Sequence, residues 1–246
     1  MSRAETLPSR LSASARLFLL ILVLFAPLAA QGVATSLQHY GAGLALRIAS
    51  HIVVPVLAVM YIRRLSLRDA ALLPVKPAGR EGLHWSLRVG ALGSGLVAVG
   101  LVVAYLTLGR LVDWDAVRMS LWESYGVQPV LFPIVAFAII AINPIMEEYF
   151  WRGFIYRAFR DNTESPRLRR AWLYLTGIFF ALHHVLIIQG WFNWWQWLLT
   201  VVVLAVVGIV FNWLYERTES IIAPWLIHTA ADAAIILIGF HIFGYI

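Results

Sequence analysis

Three short clusters of ionisable residues interrupt apolar parts of this 246-residue sequence. Ionisable side chains inside a membrane helix cost roughly 2.5–3.5 kcal/mol for Arg, Lys or Asp, and those that persist are usually functional. A carboxylate beside an imidazole can orient and deprotonate a water molecule. A second imidazole with a polar neighbour can stabilise the oxyanion formed when that water attacks an amide carbonyl. The clusters are Glu147-Glu148-Tyr149-Phe150-Trp151-Arg152, Phe179-Phe180-Ala181-Leu182-His183-His184 and His228-Thr229-Ala230-Ala231-Asp232.

The first cluster contains two adjacent carboxylates that a helix would separate. Glu148 and Arg152 are four residues apart and share a helix face, where they can form an ion pair. Glu147 lies about 100° further round the helix. The spacing therefore predicts that Arg152 neutralises Glu148, while Glu147 stays available for chemistry.

The other two clusters supply imidazoles. His183 and His184 are adjacent and cannot share a helix face, so we expect only one of them to serve a site. His228 and Asp232 are four residues apart and point the same way. Glu147, His184 and His228 lie roughly 11–20 Å into their helices from the same side, at about 1.5 Å per residue. The shared depth predicts one common site inside a helix bundle.

Two further chemistries fit these residue types. Glu and His could ligate a zinc ion that activates the water. Alternatively, buried carboxylates could carry protons in a transporter, or the protein could be a non-enzymatic membrane partner. A transporter would show helices broken by Gly or Pro in paired halves. No such pairing is seen, although Asn143-Pro144 breaks span four, and no H-E-x-x-H zinc motif is present.

Composition identifies the elements that must position the clusters. Hydrophobic residues make up 61% of the chain and charged residues 13%, against about 45–50% and about 25% in soluble domains. The net charge of +6 comes from arginines grouped between apolar runs, a pattern typical of membrane loops rather than of a nucleic-acid-binding face. There are no cysteines, so thiol catalysis and disulfides are excluded. We therefore predict a protein whose solvent is the lipid bilayer and which binds no nucleic acid.

The apolar runs predict an all-α, polytopic transmembrane bundle of about seven spans. The site would lie between spans four, five and seven. A tryptophan-rich segment at 189–197 is expected to form an interfacial turn between spans five and six. The spans are expected near 17–36, 44–62 and 89–109, in a fourth segment opened by the apolar run 124–146, twice within 171–215, and at 221–243.

Charge in the connections predicts the orientation. Basic residues precede the first span and recur between 63 and 88 and between 157 and 170, while the other connections are neutral or acidic. The positive-inside rule then places the N-terminus in the cytoplasm. We expect a multi-pass protein of the cytoplasmic (inner) membrane of a prokaryote, whose first apolar helix is an uncleaved span rather than a signal peptide.

The three clusters resemble the motifs of the CAAX protease and bacteriocin-processing (CPBP, or ABI) family of intramembrane glutamic endopeptidases. The family pattern is E-E-x-x-x-R, then F-x-x-x-H, then H-x-x-x-N or D, each on a membrane helix. In this sequence the patterns read Glu147-Glu148-x-x-x-Arg152, Phe180-x-x-x-His184 and His228-x-x-x-Asp232. The resemblance covers residues 125–243, a CPBP-like catalytic core. Residues 1–124 form accessory N-terminal spans of the same single membrane domain, 1–246.

The resemblance implies a role for each matching residue. Glu147 would be the water-activating base, aided by His184, while His228 and Asp232 would form the oxyanion side. Glu148, Arg152 and Phe180 would support the site structurally. The eukaryotic prenyl-protein proteases of the family carry Asn where Asp232 stands. An ionised Asp would repel an oxyanion, so Asp232 is expected to be protonated or to orient His228.

These observations predict an intramembrane endopeptidase that hydrolyses a peptide bond of a membrane-associated protein or peptide with a Glu/His-activated water. We expect no cofactor and no metal, because Glu148 is committed to Arg152 and the remaining groups are needed to handle water and oxyanion. A zinc-dependent protease on the same fold, a non-enzymatic membrane partner and a proton-coupled transporter are the alternatives.

Overall fold

The computed structural model describes residues 12–37, 40–63, 79–125, 127, 129–188 and 191–245. All regular structure in this part of the chain is helical, which confirms the predicted all-α class. Two π-helical turns, Ala49–Val53 and Tyr149–Tyr156, and two 3-10 turns, Gly109–Leu111 and Pro129–Leu131, connect some of the α-helices. The α-helices are α1 (Ala13–Leu37), α2 (Tyr40–Ile48), α3 (Val54–Arg63), α4 (Gly79–Leu108), α5 (Trp114–Tyr125), α6 (Phe132–Ala141), α7 (Asn143–Glu148), α8 (Arg157–Asp161), α9 (Pro166–Ile188), α10 (Trp194–Thr218) and α11 (Ile222–Ile242).

Six helical stretches of the described chain are long and apolar enough to cross a membrane. Helix α9, which contains the predicted fifth span, has 23 residues but is not among these six. The prediction of about seven spans is therefore roughly matched, and the chain is a multi-pass integral membrane protein. The six stretches are Ala15–Ala34, Gly41–Ala58, Gly79–Leu111, Phe132–Asp161, Trp194–Thr218 and Ile222–Ile242.

The fourth span continues beyond the apolar run 124–146 that was predicted to open it. It runs through Asp161 by way of α6, α7, the second π-helical turn and α8. The helix continues because Glu147, Glu148 and Arg152 are buried against partners inside the protein. Pro144 is tolerated because it lies in the first turn of α7, where its missing N–H is not needed. The first ionisable cluster thus lies in the middle of a 30-residue span.

The connections near the membrane surfaces also differ from expectation. The predicted turn at 189–197 is shorter, because α10 begins at Trp194, where Asn193 and Gln196 form a reciprocal capping box. Helix α5 lies outside the predicted spans and packs against α1. Residues 1–11 and 64–78, which carry part of the basic charge used to predict orientation, and residues 189 and 190 lie outside the described residues.

The N-terminal spans pack directly on the helices that carry the ionisable clusters. A buried apolar core joins α1 and α3 to the second π-helical turn, α8 and α9. Because this core lies next to the charged clusters, the first two spans help to fix their position. Its members are Leu20, Val23, Leu24, Val56, Ala58, Tyr149, Phe150, Trp151, Phe154, Ile155, Phe159 and Phe180.

A pair of glycines sets the distance between α9 and α10. A Cβ atom added to Gly208 would lie 2.6 Å from the carbonyl oxygen of Gly177, so no other residue fits there without displacing a backbone. The close approach of small residues is a usual device for packing membrane helices. It brings α10 close enough for the Gly208 carbonyl to accept a hydrogen bond from Arg152.

Candidate active site

Glu147 lies at the centre of the three clusters. Its side chain is 3% exposed, and three imidazoles surround its carboxylate. Oε1 is 3.4 Å from Nε2 of His183, and Oε2 is 3.7 Å from Nε2 of His184 and 3.9 Å from Nε2 of His228. The fourth span, α9 and α11 therefore meet around one carboxylate, the meeting that the shared depth predicted.

Both adjacent histidines face Glu147, although only one was expected to do so. The Nδ1 atoms of His183 and His184 lie 2.6 and 2.9 Å from the same backbone carbonyl, that of Phe180. This shared anchor turns the two rings so that both Nε2 atoms point towards the carboxylate. Their ring centroids are 3.9 Å apart. Ring rotation overcomes the angular separation of the two positions on the helix.

Glu148 holds two partners at once. Its Oε1 accepts from Nη1 of Arg152 at 3.0 Å and lies 2.9 Å from Nδ1 of His228. The guanidinium of Arg152 also donates to the carbonyl of Gly208 at 3.2 Å and stacks 4.3 Å from the ring of Phe180. Glu148 and Arg152 are fully buried. The three residues predicted as support thus form one unit, whose link to His228 was not anticipated.

Asp232 is connected to the N-terminal spans through Asn143 and Arg47. Its Oδ1 lies 3.7 Å from Nε2 of His228, which is beyond a good hydrogen bond. Its Oδ2 accepts from Nδ2 of Asn143 at 3.4 Å. Oδ1 of Asn143 accepts in turn from Nη1 of Arg47 at 3.1 Å, and Nη2 of Arg47 donates to Gln31 at 2.8 Å. The closest carboxylate to the ring of His228 is therefore Glu148, and Asp232 belongs to a second polar chain.

A histidine of the second span also lies at this site. His51, in the first π-helical turn, is buried, and its Nδ1 lies 3.0 Å from the carbonyl of Arg47. One ligand atom from each of His51, Glu147 and His183 lies within 4.8 Å of the others. Nε2 of His51, Oε2 of Glu147 and Nε2 of His183 are buried without a hydrogen-bond partner among the described residues. Two imidazoles and one carboxylate are a donor set that binds zinc in proteases.

Besides His183, sequence reasoning missed four residues of this site: Gln31, Arg47, His51 and Asn143. Arg47 and His51 lie inside the span predicted at 44–62, where an intramembrane arginine and histidine are themselves a functional signal. Gln31 lies in the first span. The identity of their partners could not be deduced, because the contacts join residues up to 96 positions apart.

Comparison with known families supports the same part of the chain. A family model described as type II CAAX prenyl endopeptidase Rce1-like matches residues 129–234. Neither a curated protein nor a solved structure matches the chain. The matched segment runs from the start of the fourth span into α11 and contains all seven residues predicted for the site. The resemblance to the CAAX protease family that the three motifs carried is therefore confirmed over residues 129–234.

Proposed function

We propose that this protein is an intramembrane endopeptidase that cleaves a membrane-associated protein or peptide with a water molecule activated by Glu147 and His184. The observation that carries this proposal is the Glu147 carboxylate, which is buried, lies within 4 Å of three imidazole Nε2 atoms and has an Oε2 atom without a hydrogen-bond partner among the described residues. A carboxylate placed in this way can receive a proton from water in a low-dielectric site.

The reaction needs no covalent intermediate. Glu147 takes one proton from a water molecule oriented by His184, and the water oxygen forms a bond to the carbonyl carbon of the substrate. The carbonyl electron pair moves to its oxygen and gives a tetrahedral oxyanion. When the oxyanion collapses, the C–N bond breaks, and Glu147 returns the proton to the leaving nitrogen. The products are a carboxylic acid and an amine, which exchange a proton to become a carboxylate and an ammonium group, so atoms and charge balance.

The oxyanion side is formed by His228 and Asp232. Because Nδ1 of His228 faces the carboxylate of Glu148, Nε2 is the ring atom directed into the site. In the protonated ring, Nε2–H can donate to the developing negative charge. Glu148 and Arg152 therefore act through His228: they fix the direction of a ring that meets the reacting atoms.

Zinc-dependent hydrolysis is a second candidate, favoured by the unpartnered atoms of His51, Glu147 and His183. In both histidines Nδ1 faces a backbone carbonyl, which is the outer-shell arrangement that fixes the tautomer of a metal-ligating histidine. A zinc ion held by these three residues would supply Lewis-acid activation of water. We favour the metal-free reaction because the family resemblance implies a glutamic mechanism, and because Glu147 serves as the base in that mechanism.

The membrane setting follows from the same arguments. We propose that the protein lies in the cytoplasmic membrane of a prokaryote with its N-terminus in the cytoplasm, on the evidence of the arginine pattern. Residues 125–243 would form the catalytic core and residues 1–124 the accessory spans. The contacts of Arg47 and His51 give these accessory spans a direct part in the site.

The function is tested by comparing membrane proteomes from cells that express wild-type protein and Glu147→Ala. A protease predicts at least one membrane protein whose cleaved form, defined by its new terminus, disappears in the variant while the uncleaved precursor accumulates. His241→Ala is a matched control, since His241 bonds Tyr105 away from the clusters. Identical sets of termini in wild type and Glu147→Ala would contradict proteolysis through this carboxylate.

A further inference from the structure

Two pairs of residues face each other between α7 and α11, one helical turn apart. Asn143 and Glu147 are four residues apart on α7, and His228 and Asp232 are four residues apart on α11, which packs against α7. Glu147 faces His228 with 3.9 Å between Oε2 and Nε2. Asn143 faces Asp232 with 3.4 Å between Nδ2 and Oδ2. The site therefore has a first level, where the base lies, and a second level one helical turn away.

The distance between the two levels suits one reacting carbonyl. Four residues of helix advance by about 6 Å. A tetrahedral carbon that carries the attacking oxygen and the oxyanion, each with a hydrogen bond of about 2.8 Å, spans a similar distance. A water activated at Glu147 would thus place the oxyanion of its product between Nε2 of His228 and the amide of Asn143.

The side chain of Asn143 has a fixed direction. Arginine can only donate hydrogen bonds, so the contact of 3.1 Å from Nη1 of Arg47 identifies the accepting atom as the amide oxygen. The NH2 group must then face Asp232. One of its hydrogens is directed to Oδ2 of Asp232, and the second has no partner among the described residues. Asn143 does not cap its own helix, since the N-cap of α7 is Ile142 without a side-chain hydrogen bond.

Asp232 cannot itself donate to an oxyanion when it is ionised, and this leaves the second level without a donor of its own on α11. We propose that the amide of Asn143 is the oxyanion donor at this level, a catalytic residue outside the motifs, and that Arg47 of the second span is its positioning residue. The inference rests on the proposed function of Glu147 as the base. It assigns to the N-terminal spans a part in the reaction, because Arg47 reaches Asn143 from α2 and is itself held by Gln31 of α1.

The test uses the full-length protein and the rate at which Glu147-dependent termini form in membranes, that is, cleavages present in wild type and lost in Glu147→Gln. Asn143→Ala should slow these cleavages by about 10²–10³-fold, the usual effect of removing one oxyanion donor. Asn162→Ala, which removes an exposed amide bonded to Ala158 in its own helical turn, is the control and should leave the rate within about threefold of wild type.

Two double variants distinguish the loss of a hydrogen-bond donor from the effect of the negative charge of Asp232. Asp232→Asn added to Asn143→Ala returns an amide N–H to the same level and should raise the rate at least about tenfold over Asn143→Ala. Asp232→Ala added to Asn143→Ala removes the negative charge but returns no donor, so the rate should stay low. Recovery of both double variants to the same rate would overturn the donor assignment.

Arg47 is tested through the same logic. Arg47→Met leaves the amide of Asn143 free to rotate and should slow the same cleavages. Adding Asp232→Asn to Arg47→Met should restore the cleavage rate, whereas it would not do so if Arg47 had only a structural role. This variant also keeps the test decisive if Asn143→Ala lowers the folded yield measured by size-exclusion chromatography. Normal cleavage by Asn143→Ala, with none by Glu147→Gln, would refute this inference alone; normal cleavage by Glu147→Gln would refute the proposed function beneath it.

Discussion

Glu147 and Glu148 are adjacent in sequence, but their surroundings predict opposite consequences for the same substitution. Glu147→Gln and Glu148→Gln each replace a carboxylate by an amide of nearly the same shape, so packing is preserved and only charge and proton chemistry change. We predict that Glu148→Gln mainly reduces stability, whereas Glu147→Gln abolishes turnover in a protein that folds normally.

The magnitude for Glu148 follows from its partners. Its carboxylate lies 3.0 Å from Arg152 and 2.9 Å from His228, and both Glu148 and Arg152 are fully buried. Removing one member of a buried ion pair leaves the other charge uncompensated and costs about 3–5 kcal/mol. For a chain of this size the cost corresponds to a lowering of the unfolding midpoint by roughly 6–20 °C.

Glu147 differs because no arginine in the described part of the chain forms an ion pair with it. Its neighbours are three imidazoles at 3.4–3.9 Å, and His228 keeps its contact with the carboxylate of Glu148 when Glu147 becomes an amide. We expect the free energy of unfolding to change by about 1 kcal/mol or less. Loss of the general base should lower the rate by about 10²–10⁴-fold.

The two variants are compared after purification in the same detergent. Unfolding is followed by the fluorescence of the 11 tryptophans, and turnover by the rate at which new protein termini form after each purified variant is reconstituted into the parent membranes. A destabilised Glu147→Gln, or a Glu148→Gln with the same midpoint as wild type, would refute the division of labour. Equal turnover by both folded variants would refute it as well.

Three further predictions concern orientation, metal and packing. Reporter fusions at Asn162 and Asn193 should report opposite sides of the membrane, and the same side for both would contradict the predicted topology. Elemental analysis of purified active protein should find no stoichiometric transition metal; one zinc per chain, with activity lost on chelation and restored by zinc, would support the zinc alternative. Gly208→Val should lower the folded yield several-fold, because its Cβ would lie 2.6 Å from the Gly177 carbonyl oxygen. Gly95→Ala should be tolerated, because nothing lies within 4 Å of the added Cβ. Equal yields of the two variants would show that α9 and α10 can move apart.

Periodicity and spacing were sufficient to predict much of this site. Residues four apart on a helix must share a face, so the shared faces of Glu148 with Arg152 and of His228 with Asp232 could be deduced without coordinates, although only the first two lie within hydrogen-bond distance of each other. The roles assigned to these residues remain predictions, which the variants described above test.

The orientation of each ring could not be deduced in the same way. The faces of a helix are defined at the Cβ atom, whereas His183 and His184 converge on Glu147 through rotation of their side chains about a shared carbonyl. Likewise, Glu148 rather than Asp232 lies closest to Nδ1 of His228, although Asp232 is four residues away on the same helix. Such choices depend on distances between helices, which no pattern within one helix encodes.

The sequence by itself determined that the chain is a helical membrane protein, because each span needs about 20 consecutive apolar residues. It also determined that carboxylates and imidazoles from three helices lie at one depth, because ionisable residues within apolar spans are rare and easily recognised. Only the tertiary structure decided that Gln31, Arg47 and His51 from the first two spans reach this site. Their approach is set by packing between helices far apart in sequence, in particular the apolar core that joins α1 and α3 to the fourth span and α9. Packing between helices leaves no periodic pattern in the sequence. This packing brings the three motifs and the polar residues of the first two spans together in a single site.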